Sequence, residues 1–341
     1  MNIRLPAEWE KQDGVLLAWP HATSDWHDLL ETVEPVFVAI TRAISQFEQV
    51  LIVAPEIEAI RTRLIKDGVD LQRVRLYPVP TNDTWARDFG AITVLESEIP
   101  VLMDFGFNAW GLKFAAYLDN QITATLARSG AFGRCEVRTL GLILEGGSIE
   151  SNGAGTLLTT SQCLLHPNRN PHLNRSAIEK ALADLLGAFH ILWLESGSLV
   201  GDDTDAHIDT LARFCPNDTI AYVRCDDPAD EHYAPLKAME SELRAFRTPS
   251  GHPYRLVPLP WPSPCYDANG QRLPATYANF LIINGAVLVP VYQDDQDAKA
   301  LEILAQVFPD RTVIAIDCGP LIHQHGSLHC VTMQIPRGVL P

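Results

Sequence analysis

The chain has 341 residues, 47% of them hydrophobic, which allows a substantial core and excludes a disordered protein. Its formal net charge of -16 disfavours nucleic acid and anionic membranes as partners and suits a cationic ligand. The start, MNIRLPAEWEKQDG, lacks the parts of a signal peptide, no apolar run would span a bilayer, and the seven scattered cysteines form no C-x-x-C pair; the expected setting is a cytoplasm with reduced thiols.

From the N-terminus, GVLLAWP reads as a strand, the segment from about Leu30 to Phe47 as a helix, and VLIVAP as a second strand. TWARDFGAITVLESEIPVLMDFGF reads as two strands around a turn at Ser97. Helical spacing from Phe114 to Arg128 and the strand CEVRTL follow. LEGGSIESNGAGTLLTTSQCLL carries the hairpin signal Asn152-Gly153. A helix from about Arg175 to Gly187, capped by that glycine, leads to the strand HILWLE. DAHIDTLARFCPNDTIAYVRC turns at Pro216-Asn217-Asp218, with a helix from roughly Glu231 to Phe246 and the strand YRLVPLP behind it. The Pro-rich run LVPLPWPSPCYDANGQRLPATY reads as an ordered loop over a site. ATYANFLIINGAVLVPVY turns at Asn284-Gly285, before a helix from about Gln296 to Val307 and the strand TVIAIDC. LHCVTMQIP comes last and is expected to pair beside GVLLAWP.

One ββαβ theme thus repeats, and its natural closure is an α/β ring of five such units. No linker or composition shift divides the chain, so residues 1–341 are expected to form a single domain whose first unit is closed by the N- and C-terminal segments. In such a ring Asp88, Glu145, His207, Asn279 and Cys330 would enter near one central mouth. The alternative is five unrelated strand starts in an ordinary α/β sheet.

A thiol, an imidazole and several carboxylates are what covalent attack on a cationic carbon centre requires. Cys330 follows a Gly-Ser turn and sits next to His329, which marks it as a candidate nucleophile rather than an inert core thiol. His207 and Asp209 are two apart, a spacing that puts both on one face of a strand. His207 would then move protons, and Glu145 would orient and charge its ring. Asp88 and Asp209 could hold a planar guanidinium, with Trp85 and Trp110 as an apolar or cation–π wall. A competing metal site would draw on Asp202, Asp203, Asp205, His207 and Asp209 with His323, His325 and His329. Neither an H-E-x-x-H nor an EF-hand pattern is present, and the reading adopted needs no metal and no cofactor.

PAEWEKQDGVLLAWPH, NDTWARDFG, FNAWG, LEGGSIESNGAGTLLTTSQCLLHPNRNP, GDDTDAHIDTLARF, ATYANFLIINGAVLVPVY and GSLHCVTMQ together resemble agmatine deiminases and the related bacterial-type peptidyl-arginine deiminases, over nearly the whole chain. The resemblance implies the five-bladed α/β propeller called the pentein fold. It implies Cys330 as nucleophile, His207 as acid/base with Glu145 as its partner, and Asp88 and Asp209 as guanidinium ligands. HQHGSLHC stands where many agmatine deiminases have a GGGNIHC-type run, and GDDTDAH where many have DExNxH. The reaction expected is hydrolysis of agmatine, a step of polyamine biosynthesis. Asp202, Asp203 and Asp205 favour an ammonium at the far end of the substrate, with Asp203 the candidate contact, whereas Arg87, Lys113 and Arg213 could instead serve a carboxylate. Deimination of free or peptidyl arginine, amidino transfer, metal-dependent hydrolysis and a non-catalytic binding role are the alternatives. Oligomeric state is open, a homo-oligomer being one option.

Overall fold

The computed structural model describes residues 3–341 as a mixed α/β fold. One connectivity recurs in five separate sheets: two antiparallel strands, a helical crossover, then a third strand parallel to the second. Four copies run in chain order. They are Ile92–Glu96, Ile99–Gly106 and Glu136–Ile143; Ile149–Ser151, Thr156–Thr160 and His190–Leu194; Ala212–Cys215, Thr219–Val223 and Arg255–Leu259; and Leu281–Ile283, Ala286–Val291 and Thr312–Asp317. The remaining sheet draws on both ends of the chain. Thr332–Pro336 lies antiparallel to Gln12–Ala18, with Thr332 opposite Leu17, and Gln49–Ala54 follows in parallel.

Local chemistry explains the hairpins. Ser97 and Glu98 have φ of 50° and 68°, and Asn217 and Asp218 have φ of 61° and 49°. Two left-handed residues in a row give a loop whose twist matches the paired strands. Gly187, at φ 72°, ends the helix Arg175–Leu186 by donating its N–H to the carbonyls of Leu182 and Ala183. Every residue of Thr219–Val223 is buried, which is why that strand reads as a run and not as an alternation.

Several features differ from expectation. In place of helix from Phe114, regular helix spans only Ile122–Arg128, after a 3-10 turn at Asp119–Gln121. Asn82 Oδ1 accepts the Leu118 N–H and Asn108 Oδ1 accepts the Gly111 N–H, so side chains capture the backbone groups a longer helix would use. Ala109, Trp110, Gly111 and Leu112 all adopt positive φ there. A helix at Ile57–Lys66 and a strand at Val74–Pro78 extend the first sheet beyond the repeated theme. The Pro-rich run forms a small hairpin, Cys265–Tyr266 with Arg272–Leu273, and packs behind Gly201. No helix among the described residues is long and apolar enough to cross a membrane.

Three acids, Glu48 and Asp119 buried and Asp83 half-buried, make stability sensitive to pH. Burial pushes the carboxyls of Glu48 and Asp83 up to about 7 and that of Asp119 up to about 8. A raised carboxyl binds its proton more tightly in the folded state. Its contribution is therefore complete below the ordinary carboxylate range and is lost as pH rises through 7 to 8. The melting temperature is expected to fall between about pH 5 and pH 8, and Asp119→Asn to flatten that slope. A melting temperature that is constant or rises across this window, measured by scanning calorimetry, would contradict the assignment.

Candidate active site

Each of the five sheets carries a chemistry-bearing residue just ahead of its first hairpin strand. Asp88 lies on the helical turn Ala86–Phe89 and Glu145 precedes the 3-10 turn Gly146–Ser148. His207 precedes, and Asp209 lies within, the 3-10 turn Ile208–Thr210. Asn279 and Cys330 precede the strands Leu281–Ile283 and Thr332–Pro336. His207 and Asp209 therefore do not share a strand face; tight turns, not extended backbone, present them. They converge nonetheless. A Cβ on Gly147 would lie 2.6 Å from His207 Nδ1, 2.8 Å from Asp88 Oδ1 and 3.1 Å from Asp209 Oδ2, so only glycine fits between them.

Hydrogen bonds tie these strand starts together. Asn279 Oδ1 accepts from the backbone N–H of His329 at 2.8 Å and of Cys330 at 3.3 Å. Cys330 Sγ lies 3.4 Å from the same oxygen and 3.9 Å from Asp209 Oδ2. Gly147 N–H donates to Asp88 Oδ1, and Trp110 Nε1–H to Asp88 Oδ2, both at 3.0 Å. His207 Nδ1 is 3.6 Å from Asp88 Oδ1. The other ring nitrogen of His207 and Asp209 Oδ1 are buried with no partner among the described residues. Both atoms are thus polar groups left unsatisfied in the interior.

Burial dominates the electrostatics. It pushes the His207 imidazole down to about 3, so the ring is neutral near neutral pH. Burial, reinforced by Asp209 and Asp88, pushes the Cys330 thiol well above its ordinary value. Asp88 is raised by burial and by Asp209. Burial would also raise Asp209, but the hydrogen bond to His329 and the fields of His329, His207 and Arg213 together outweigh it and leave its carboxyl below the ordinary range. The site thus holds a neutral thiol and a neutral imidazole.

Glu145 is placed differently from expectation. Both of its oxygens accept from Arg169 Nε, at 2.9 and 3.0 Å, and both side chains are fully buried. It makes no hydrogen bond with His207, although a carboxylate oxygen and a ring nitrogen come within 4.8 Å. Arg169 also binds Asp205 at 2.7 Å, and Asp205 in turn binds Lys113 at 2.8 Å. Asp202 caps its own loop, accepting from the N–H groups of Thr204 and Ala206. Of the three acids in that run only Asp203 faces the cleft.

The cleft encloses about 380 Å³ including its mouth. Cys330 and Asp88 lie on its wall with Trp85, Trp110, Phe114, His325, and the acids Asp25, Asp83 and Asp203. Burial pushes Asp203 up to about 6. Gly326 passes so close to Trp85 that a Cβ there would overlap the indole at 2.1 Å. Asp25 and Asp83 were not singled out from the sequence; isolated loop acids give no periodic signal, although Asp83 belongs to the NDTWARD run. Arg87 and Arg213 are buried away from the cleft, and Lys113 is engaged by Asp205. The Pro-rich run is also absent from the cleft wall among the described residues.

The metal site suggested by the two His- and Asp-rich segments is not assembled as a set. His325 Nδ1 meets the Gly201 carbonyl, while His329 lies between Asp209 and Glu8. The sets that do converge among the described residues are Glu145, Cys163 and His207, and Glu8, Glu150 and His329. Arg169 occupies both oxygens of Glu145, and Arg213 binds both Glu8 and Glu150, so cations already fill these places.

The chain is similar to known proteins over nearly its whole length. A model of the Porphyromonas-type peptidyl-arginine deiminase family matches residues 4–336. The agmatine deiminase of Pseudomonas aeruginosa (strain LESB58) is 33% identical over 360 residues, covering 98% of this chain and 96% of that protein. A solved Porphyromonas gingivalis protein, a candidate arginine deiminase, is 51% identical with a TM-score of 0.94, covering 99% of this chain and 100% of that one. A cysteine-to-serine variant of the C. jejuni agmatine deiminase, solved with substrate bound, is 40% identical with a TM-score of 0.91, covering 99% and 97%. At 10% identity and a TM-score of 0.51, the Pseudomonas aeruginosa protein DDAH shares the fold alone.

Proposed function

The chain belongs to the Porphyromonas-type peptidyl-arginine deiminase family, and on that premise we propose that it hydrolyses the guanidinium of agmatine to N-carbamoylputrescine and ammonia. The observation that carries this choice of substrate is the cleft wall. It presents Asp25, Asp83, Asp88 and Asp203 beside the Cys330 thiol, with no Lys or Arg among its described residues. Agmatine is cationic at both ends. Free arginine would bring its carboxylate against these acids, where an Arg or Lys is the usual partner. We further propose that the five sheets are blades of one propeller-like domain spanning the whole chain, and that the protein works in the cytoplasm with its thiols reduced. The recurring connectivity and the seven unpaired cysteines support these readings.

In the proposed mechanism Asp88 and the free Oδ1 of Asp209 grip the guanidinium over Cys330, with Trp85 and Trp110 beside it. The cation offsets the two charges that help keep the thiol protonated, and the thiol proton passes to His207. The thiolate forms a C–S bond to the central carbon. His207 returns the proton to the departing nitrogen, the C–N bond breaks and ammonia leaves. A thiouronium adduct remains. His207 then takes a proton from water, whose oxygen attacks the same carbon; the C–S bond breaks, the leaving thiolate takes the remaining hydroxyl proton, and His207 gives up its own to solvent, leaving the urea-type product and the free cysteine. Glu145, held by Arg169, acts on the imidazole through space and not through a hydrogen bond. Asp203 takes the distal ammonium.

The test compares substrates. The kcat/KM for agmatine is expected to exceed that for free arginine by at least about a hundredfold, roughly the cost of leaving a charged group unpaired. Asp203→Asn should raise KM for agmatine with little change in kcat. Faster turnover of arginine, or of an arginine-containing peptide, would move the substrate assignment within the family.

A further inference from the structure

His329 adjoins the thiol yet has no part in the mechanism above. Its ring is buried, and each nitrogen meets a carboxylate oxygen at 2.8 Å: Nδ1 meets Asp209 Oδ2 and Nε2 meets Glu8 Oε2. An ionised carboxylate can only accept, so Nδ1 is satisfied as a donor to Asp209, while Nε2 lies between Glu8 Oε2 and Arg213 Nη2, the latter 3.0 Å away. The ring is held from several sides. Asn279 Oδ1 accepts the His329 N–H, and Arg213 Nη2 shares Glu8 Oε2 at 2.6 Å. The other oxygen of Glu8 accepts the Ile282 N–H at 2.7 Å, which fixes that carboxylate in turn.

The consequence falls on Asp209. Its Oδ2, the oxygen 3.9 Å from Cys330 Sγ, is taken up by His329, and its Oδ1 is left buried without a partner. We propose that His329 is a positioning residue that aims Asp209 Oδ1 at the substrate guanidinium while holding Oδ2 against the imidazole. The inference rests on the reading of Asp209 as a guanidinium ligand. Glu8, in the N-terminal segment, anchors the far side of the ring.

Two substitutions separate the ring's two roles. An asparagine amide nitrogen falls near the place of Nδ1, and a glutamine amide nitrogen near that of Nε2. His329→Asn therefore keeps the donor to Asp209, whereas His329→Gln keeps the donor to Glu8. His329→Asn is expected to hold KM for agmatine within about threefold of wild type, and His329→Gln to raise it at least about tenfold with a smaller loss in kcat, as for one lost charge-assisted hydrogen bond. Equal KM values for the two, or the reverse order, would overturn the proposal, because a purely structural histidine would not distinguish them. If His329→Gln does not fold, the asparagine variant decides: a KM near wild type supports the proposal, and one raised as far as in Asp209→Asn overturns it. Failure of His329→Asn to fold where His329→Gln does would overturn it too. Wild-type protein that does not turn over agmatine refutes the underlying substrate reading instead, which keeps the two failures apart.

Discussion

Cys330→Ala is expected to abolish ammonia release from agmatine, by at least about a thousandfold, while the fold survives. The sulfur is the only protein atom in the proposed pathway that bonds to the guanidinium carbon, and no other cysteine lies on the cleft wall among the described residues. The structural cost is small. Alanine keeps the Cβ, and what is lost are weak sulfur contacts to Asn279 Oδ1 and Asp209 Oδ2. Asn279 keeps its bonds from the backbone of His329 and Cys330, and Asp209 keeps His329. A melting temperature within a few degrees of wild type is expected, since a single small truncation costs about 1 kcal/mol. Cys330→Ser, which replaces the thiol by a much weaker nucleophile of similar size, is expected to bind agmatine without turning it over. Turnover near wild type in either variant would end the thiol mechanism.

His207→Gln is expected to lower kcat by about a hundredfold to ten-thousandfold with a much smaller change in KM, the signature of losing a proton shuttle and not a binding contact. The ring is buried and neutral, and one of its nitrogens has no partner among the described residues. It is therefore ready to accept the thiol proton when the cation docks and to hand it to the leaving nitrogen. Its charged form would stand among Asp88, Asp209 and, through space, Glu145. Steady-state kinetics decide this directly. A His207→Gln enzyme with kcat within a few-fold of wild type and a raised KM would make His207 a substrate contact and leave the proton transfers to another group.

Much of this site is legible along the chain because turn chemistry is local. Asn284-Gly285, Pro216-Asn217-Asp218 and the Gly187 cap each mark an element boundary where the structure has one. The regular return of a polar residue ahead of each hairpin places Asp88, Glu145, His207, Asn279 and Cys330 together. Spacing does not say which partner a charged side chain will choose, since that is decided by tertiary contact. Glu145 pairs with Arg169 and not with the histidine it was expected to orient. Asp202 and Asp205 turn to their own loop and to Arg169 and Lys113, leaving Asp203 alone of the three on the cleft wall. Glu8 reaches His329 across 321 residues, a pairing that no local pattern announces. The same limit applies to the paired spacing of His207 and Asp209, which suggested a strand where the backbone makes a 3-10 turn.

The most direct test of the thiol-deiminase reading is ammonia release from agmatine by wild-type and Cys330→Ala protein, assayed side by side with and without EDTA. Wild type is expected to yield one ammonia per carbamoyl product, unchanged by the chelator, and the variant to yield none. Turnover that EDTA suppresses and metal restores, or turnover that persists without the thiol, would contradict it.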